Sequence, residues 1–145
     1  MTITRIDVEV ELVKRQGARM SVAGLAVTVE GSNADLNQPM SVALRKMGLT
    51  ASNPVSNTDL AELEDADIDE FYDRAELRLL ENILGNLVLV DIDSGPRSEK
   101  LSQISASVEK AIARMEAKIS SEYGVGYELE GGVIELDSQE VEEEA

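Results

Sequence analysis

The most suggestive spacing in the chain lies at residues 65–76, DADIDEFYDRAE. A calcium loop takes oxygen ligands at its positions 1, 3, 5, 9 and 12, and Asp65, Asp67, Asp69, Asp73 and Glu76 occupy those places. Position 6, where the loop turns through a left-handed residue, holds Glu70 instead of glycine, and position 8 holds Tyr72 in place of an aliphatic. The apolar spacing from Ile68 onward is also continuous helix, which a calcium loop would have to unwind. The competing reading is an acidic first helical turn that complements the helix dipole, and on it no metal or other cofactor is expected.

Other chemistry is constrained by what is missing. The 145 residues contain no histidine and no cysteine, which removes disulfides, thiolate nucleophiles, imidazole bases and His/Cys zinc sites. Paired carboxylates follow from composition alone among 29 Asp and Glu, and no pattern places two of them in an apolar pocket that would split their pKa values. The glycines are singletons or the Gly131-Gly132 pair, so no phosphate-cradling loop is present. Arg74 and Arg78 pair with Glu70 and Glu81 at helical spacing and read as a helix surface; a phosphate clamp there is opposed by the acidic surroundings. No catalytic residue emerges, and the expectation is that the chain is not an enzyme.

The net charge is −16, and it is uneven. Residues 1–50 carry 6 cations and 5 anions, 51–100 carry 4 and 13, and 101–145 carry 3 and 11. Such a field repels nucleic acid and anionic membranes, leaving basic partners, or a channel that DNA passes through without being held. The start MTITRIDVEVELV lacks a cationic segment followed by an apolar one, and no apolar run approaches membrane-spanning length, so the expected location is the cytoplasm or something assembled there.

These residues need elements to position them. Ile6, Val8, Val10 and Leu12 alternate with acidic residues as a half-buried strand would, yet Ile6, Val10 and Val13 also share a helical face, with Thr4 as N-cap and Gly17 as stop. The strand is favoured for residues 3–16. A hairpin over residues 19–30 follows, turning at Ala23-Gly24. Next comes a three-turn helix capped by Asn37, with Pro39 in its first turn, Met40, Ala43, Leu44 and Met47 on one side, Arg45 and Lys46 in its last turn, and Gly48 ending it. A polar connector leads to a brief turn capped by Asn57 or Thr58.

Two long helices are the strongest pattern. Apolar residues at 68, 71, 72, 75, 79, 80, 83, 84 and 87 make a stripe wide enough to be covered from more than one side, so the first should be central. The second begins at Pro96 and runs to about Tyr123, with Leu101, Ile104, Val108, Ala111, Met115, Ile119 and Glu122 or Tyr123 in a near-heptad seam. That seam fits either another subunit or an ordinary antiparallel hairpin with the preceding helix. The segment YELE-GG-VIELD reads as a C-terminal hairpin, and residues 128–144 hold eight carboxylates and no cation, a tail that stays solvated unless a partner neutralises it. The fold expected is therefore mainly α, with small β-hairpins near both termini: an arm or small β region at 1–32, a helical core at 33–124, and a hairpin with acidic tail at 125–145.

The stretch FYDRAELRLLENILGNLVLVDIDSGPRSEKLSQI, the helix after it, YGVGYELEGGVIELD, and upstream ADLNQPMSVALRKMG resemble small head-to-tail connector (adaptor) proteins of tailed phages. The resemblance implies a mostly helical subunit in a homo-oligomeric ring, commonly of twelve copies. It implies a portal protein on one side and a downstream neck or tail protein on the other, with DNA passing the lumen without specific binding and no membrane partner. The location implied is the virion neck, assembled in the host bacterial cytoplasm. Subunit or partner contacts are expected at Leu101, Ile104, Val108, Met115, Ile119, Tyr123, Tyr127, Leu129, Val133, Ile134 and Leu136. A tail-completion protein would look much the same. A reading of another class is an acidic binding module, a DNA mimic or inhibitor of a basic partner, motivated by the acidic runs at 59–73 and 128–144.

Overall fold

The computed structural model describes residues 2–94 and 98–124, and side chains outside 89–100. The described residues are mainly helical and contain no strand. The first helix, α1, spans Arg5–Val22. Thr4 caps it reciprocally with Asp7: the Asp7 amide donates to Thr4 Oγ1 at 3.2 Å and the Thr4 amide donates to Asp7 Oδ2 at 2.9 Å. The alternation at Ile6, Val8, Val10 and Leu12 therefore does not build the expected strand. Val8 and Leu12, four residues apart, are fully buried, whereas Ile6 and Val10 are 49% and 46% exposed. The ion pairs Arg5–Glu9 and Glu11–Arg15, also four apart, strengthen the helical choice.

Gly17 does not stop this helix. The backbone kinks at Gln16 (φ −132°, ψ 17°) and the helix resumes to Val22. The hairpin expected over 19–30 is likewise absent, because the glycine that suits a hairpin turn also suits a helix end. Gly24, at φ +80°, closes α1 with a bond from the Leu25 amide to the Met20 carbonyl at 2.8 Å, and the chain then runs irregularly to Asn33.

A 3-10 turn, Ala34–Leu36, is capped by Asn33 and leads into α2, Asn37–Lys46. Pro39 lies in the first turn of α2, Met40, Ala43 and Leu44 are buried, and Gly48 (φ +82°) ends it as expected. Asn37 does not N-cap α2: its Oδ1 accepts instead from Arg5 and from the Val55 amide. The short helix α3, Asn57–Leu60, is capped by Ser56 with Asp59 in a reciprocal box, not by Asn57 or Thr58. The side chains of Ser52 and Ser56 and both their amides converge on Asp59, which holds its carboxyl down at about 2.

After a second 3-10 turn at Asp65–Asp67 come α4, Ile68–Ser94, and α5, Ser98–Glu122. Helix α4 is central, packed by α1, α2 and α5. Its Phe71, Ala75, Leu79, Leu80, Ile83 and Leu87 are buried with Val8, Leu12 and Met20 of α1, Met40 and Leu44 of α2, and Leu101 and Val108 of α5. Residues of the 1–32 segment and of 33–124 thus share one apolar core. The C-terminal hairpin expected at YELE-GG-VIELD lies outside the described residues. No described helix is long and apolar enough to cross a membrane.

Candidate functional site

Two polar clusters are built into this apolar frame. The first begins at Arg5, where side-chain spacing along α1 puts a guanidinium and a carboxylate on the buried face. Arg5 Nε donates to Glu9 Oε2 at 2.9 Å, Nη1 to Asn37 Oδ1 at 2.9 Å and the Val55 carbonyl at 3.0 Å, and Nη2 to the Asn33 carbonyl at 2.7 Å. Glu9, fully buried, also accepts the amides of Gly31 and Asn33 at 2.7 and 2.9 Å. The partners come from Asn37 of α2 and from the irregular segments on either side of that helix, so this cluster fastens the loops at 24–33 and 49–56 to α1. Its charges are consumed internally and offer nothing to a ligand.

The second cluster joins α1, α4 and α5. Asp73, buried on α4, accepts from Arg15 Nη1 at 3.2 Å, Lys118 Nζ at 3.1 Å and the Tyr123 hydroxyl at 2.9 Å. Glu76, one turn on, accepts from Arg15 at 2.9 Å and from Gln16 Nε2 at 2.7 Å. Burial opposes the charge of Arg15, but Glu11, Glu76 and Asp73 outweigh it and hold the guanidinium firmly protonated. The bond to Asp73 likewise raises the pKa of Lys118, while burial and then Asp73 raise that of Tyr123. Arg15 also lies 5.4 Å from the centre of the Tyr72 ring. The shifts of Arg15, Lys118 and Tyr123 all run upward, away from neutrality.

This arrangement redistributes the calcium-like spacing. Asp65 and Asp67 sit in a 3-10 turn, Asp69 in the first turn of α4, and Asp73 and Glu76 face inward onto α1 and α5. Five oxygens spread over a turn and two helical turns do not surround a common point, and no group of potential metal ligands occurs among the described residues. Arg74 and Arg78 do pair with Glu70 and Glu81, at 2.8 and 3.4 Å, although Arg74 is buried rather than on the surface.

Of the contact residues expected from the seam, Leu101, Val108 and Ile119 are buried, Ile104, Met115 and Tyr123 are half-buried, and the seam packs on α4 within the chain. Tyr127, Leu129, Val133, Ile134 and Leu136 lie outside the described residues. No family model, curated protein or solved structure matches the chain.

The surface clefts that flank α4 include two with distinct linings. One, of about 520 Å3, lies beside the start of α2 and is lined by Asp35, Gln38, Glu81, Asn82 and Asn86, with Asn82 donating to Gln38 at 3.0 Å. The other, of about 210 Å3, lies beside the Asp73 cluster and is lined by Gln16 and Arg19 of α1, Glu76 and Leu80 of α4, and Arg114 and Lys118 of α5. Cations crowd this second cleft in a chain that has only 13 of them. Sequence reasoning missed that crowding, since Arg15, Arg19, Arg114 and Lys118 come from opposite ends of the chain. The i,i+4 pairs at 5/9 and 11/15 are the signal that points to α1.

Proposed function

We propose that the chain is a non-enzymatic virion structural protein, a head-to-tail connector subunit that assembles as a ring between a phage portal and the downstream neck or tail. The observation that carries this reading is the outer face of α1. Ile6 and Val10, one helical turn apart, stay about half exposed while the inner face of the same helix is sealed in the core. A helix with apolar residues on both faces needs a second surface to cover the outer one, and a neighbouring copy supplies it in a closed ring. The mainly helical core and the resemblance of 34–48 and 71–137 to connector subunits support the same reading. The charge of −16 suits a lumen that DNA crosses without being gripped.

Native mass spectrometry of the chain alone and mixed with the portal protein encoded nearest to it tests the proposal. A complex of discrete ring stoichiometry is expected with portal. A chain that remains monomeric in the presence of both portal and neck proteins overturns the reading.

A further inference from the structure

Three of the chain's 13 cations, Arg19, Arg114 and Lys118, line the cleft between α1 and α5, and Arg15 bonds Glu76, which also lines it. Arg15 is spent on Glu11, Asp73 and Glu76, and Lys118 is shared with Asp73. Arg19 bonds only neutral groups, Gln16 Oε1 at 3.0 Å and Ser107 Oγ at 3.1 Å. Arg114 is exposed and makes no hydrogen bond or ion pair among the described residues. Two guanidiniums with no carboxylate partner among the described residues therefore face one concavity.

The end of α5 lies beside that cleft. Gly124, at φ +79°, terminates the helix with its amide bonded to the Ile119 carbonyl at 3.1 Å, which turns the chain out of the helical path. Arg74, buried on α4, holds the Gly124 carbonyl at 2.9 Å, and the neighbouring Tyr123 is held by Asp73, the residue that also holds Lys118. The exit is thus pinned to α4 by Arg74, and Tyr123 ties it through Asp73 to Lys118 of the cationic cluster. From Gly124 back to Arg114 is about 15 Å of helix, a span that roughly five extended residues cover. The sequence that follows supplies Glu128, Glu130, Glu135, Asp137, Glu140, Glu142, Glu143 and Glu144 with no cation among them.

We infer that the cleft lined by Arg19, Arg114 and Lys118 is the docking site for the acidic C-terminal segment, residues 128–144, of the same chain. Tethering a few residues away gives the segment an effective concentration in the millimolar range, so weak, screened ion pairs are enough to keep it seated at low salt. A more basic partner surface displaces it, and the cleft and the segment then become available together. This inference does not depend on the ring proposal.

Clipping of full-length protein by a glutamate-specific protease, scored within 128–144 and normalised to a free 125–145 peptide, tests it. At about 20 mM salt the wild-type segment is expected to be cut about tenfold more slowly than in Arg114→Glu, equivalent to ~1.4 kcal/mol of docking. At about 0.5 M salt the two rates converge. Unchanged far-ultraviolet circular dichroism checks that the variant folds, and the salt response of the wild type stands without any variant. Equal rates in both proteins at both salts overturn the inference. Protection that grows with protein concentration overturns the same-chain assignment in favour of a neighbour's segment.

Discussion

Arg5 and Glu9 illustrate how a buried ion pair is made tolerable. Glu9 is fully buried and Arg5 nearly so, and their polar atoms find partners in Asn37 and in the loops that pack on α1. Removing one member leaves the other charged and stranded, and Glu9→Ala is expected to cost about 3–5 kcal/mol. Urea denaturation measures this, and a loss below about 1 kcal/mol would show that water replaces the carboxylate. Asp59 makes a different, pH-dependent contribution. Its carboxyl lies at about 2 in the folded chain against an ordinary 3.8, so its stabilisation is complete above 3.8 and disappears as pH falls towards 2. The gap in urea midpoint between wild type and Asp59→Asn should accordingly be present at neutral pH and close between about pH 4 and pH 2. A gap independent of pH would remove the carboxylate as its cause.

At the level of elements, α4 carries one residue that its helix does not need. Gly85 lies inside α4, and a β-carbon built on it meets nothing within 4 Å. Gly85→Ala should therefore stabilise the protein by about 0.5–1 kcal/mol through the unfolded chain's lost freedom. Thermal unfolding with a lowered midpoint would indicate that the adjoining cleft needs the space. The helices themselves were readable to different degrees. The central role of α4 follows from apolar positions on several sides, and the ends of α2 follow from Pro39 and Gly48. The nature of residues 5–22 did not follow, because Ile6, Val8, Val10 and Leu12 alternate as a strand would and the β-branching of Ile6, Val8 and Val10 favours that reading. The Thr4–Asp7 box and the four-residue ion-pair spacing decide it. The polar cluster was half legible: Asp73 and Glu76 stood out as regularly spaced acids, but Arg15, Gln16, Lys118 and Tyr123 reach them only through tertiary packing.

For the whole molecule, the question is how a subunit this acidic associates. If the outer face of α1 is an assembly surface, Ile6→Glu combined with Val10→Glu should abolish ring formation with portal while leaving the monomer's helical signal intact. Mass photometry reads the first and circular dichroism the second; rings that still form would move the contact elsewhere. The route by which α1 joins the fold has its own consequence for synthesis on the ribosome. Arg15 bonds Glu76 across a separation of 61 residues, and the first helix completes its packing only against α4. At about 5–20 residues per second, the chain between them takes roughly 3–12 s to be made. Through that interval the nascent chain carries Val8, Leu12 and Met20 with no finished partner to bury them. Helix α1, made well before α4, thus waits for its partner, and it is where shielding of newly made chain would matter most.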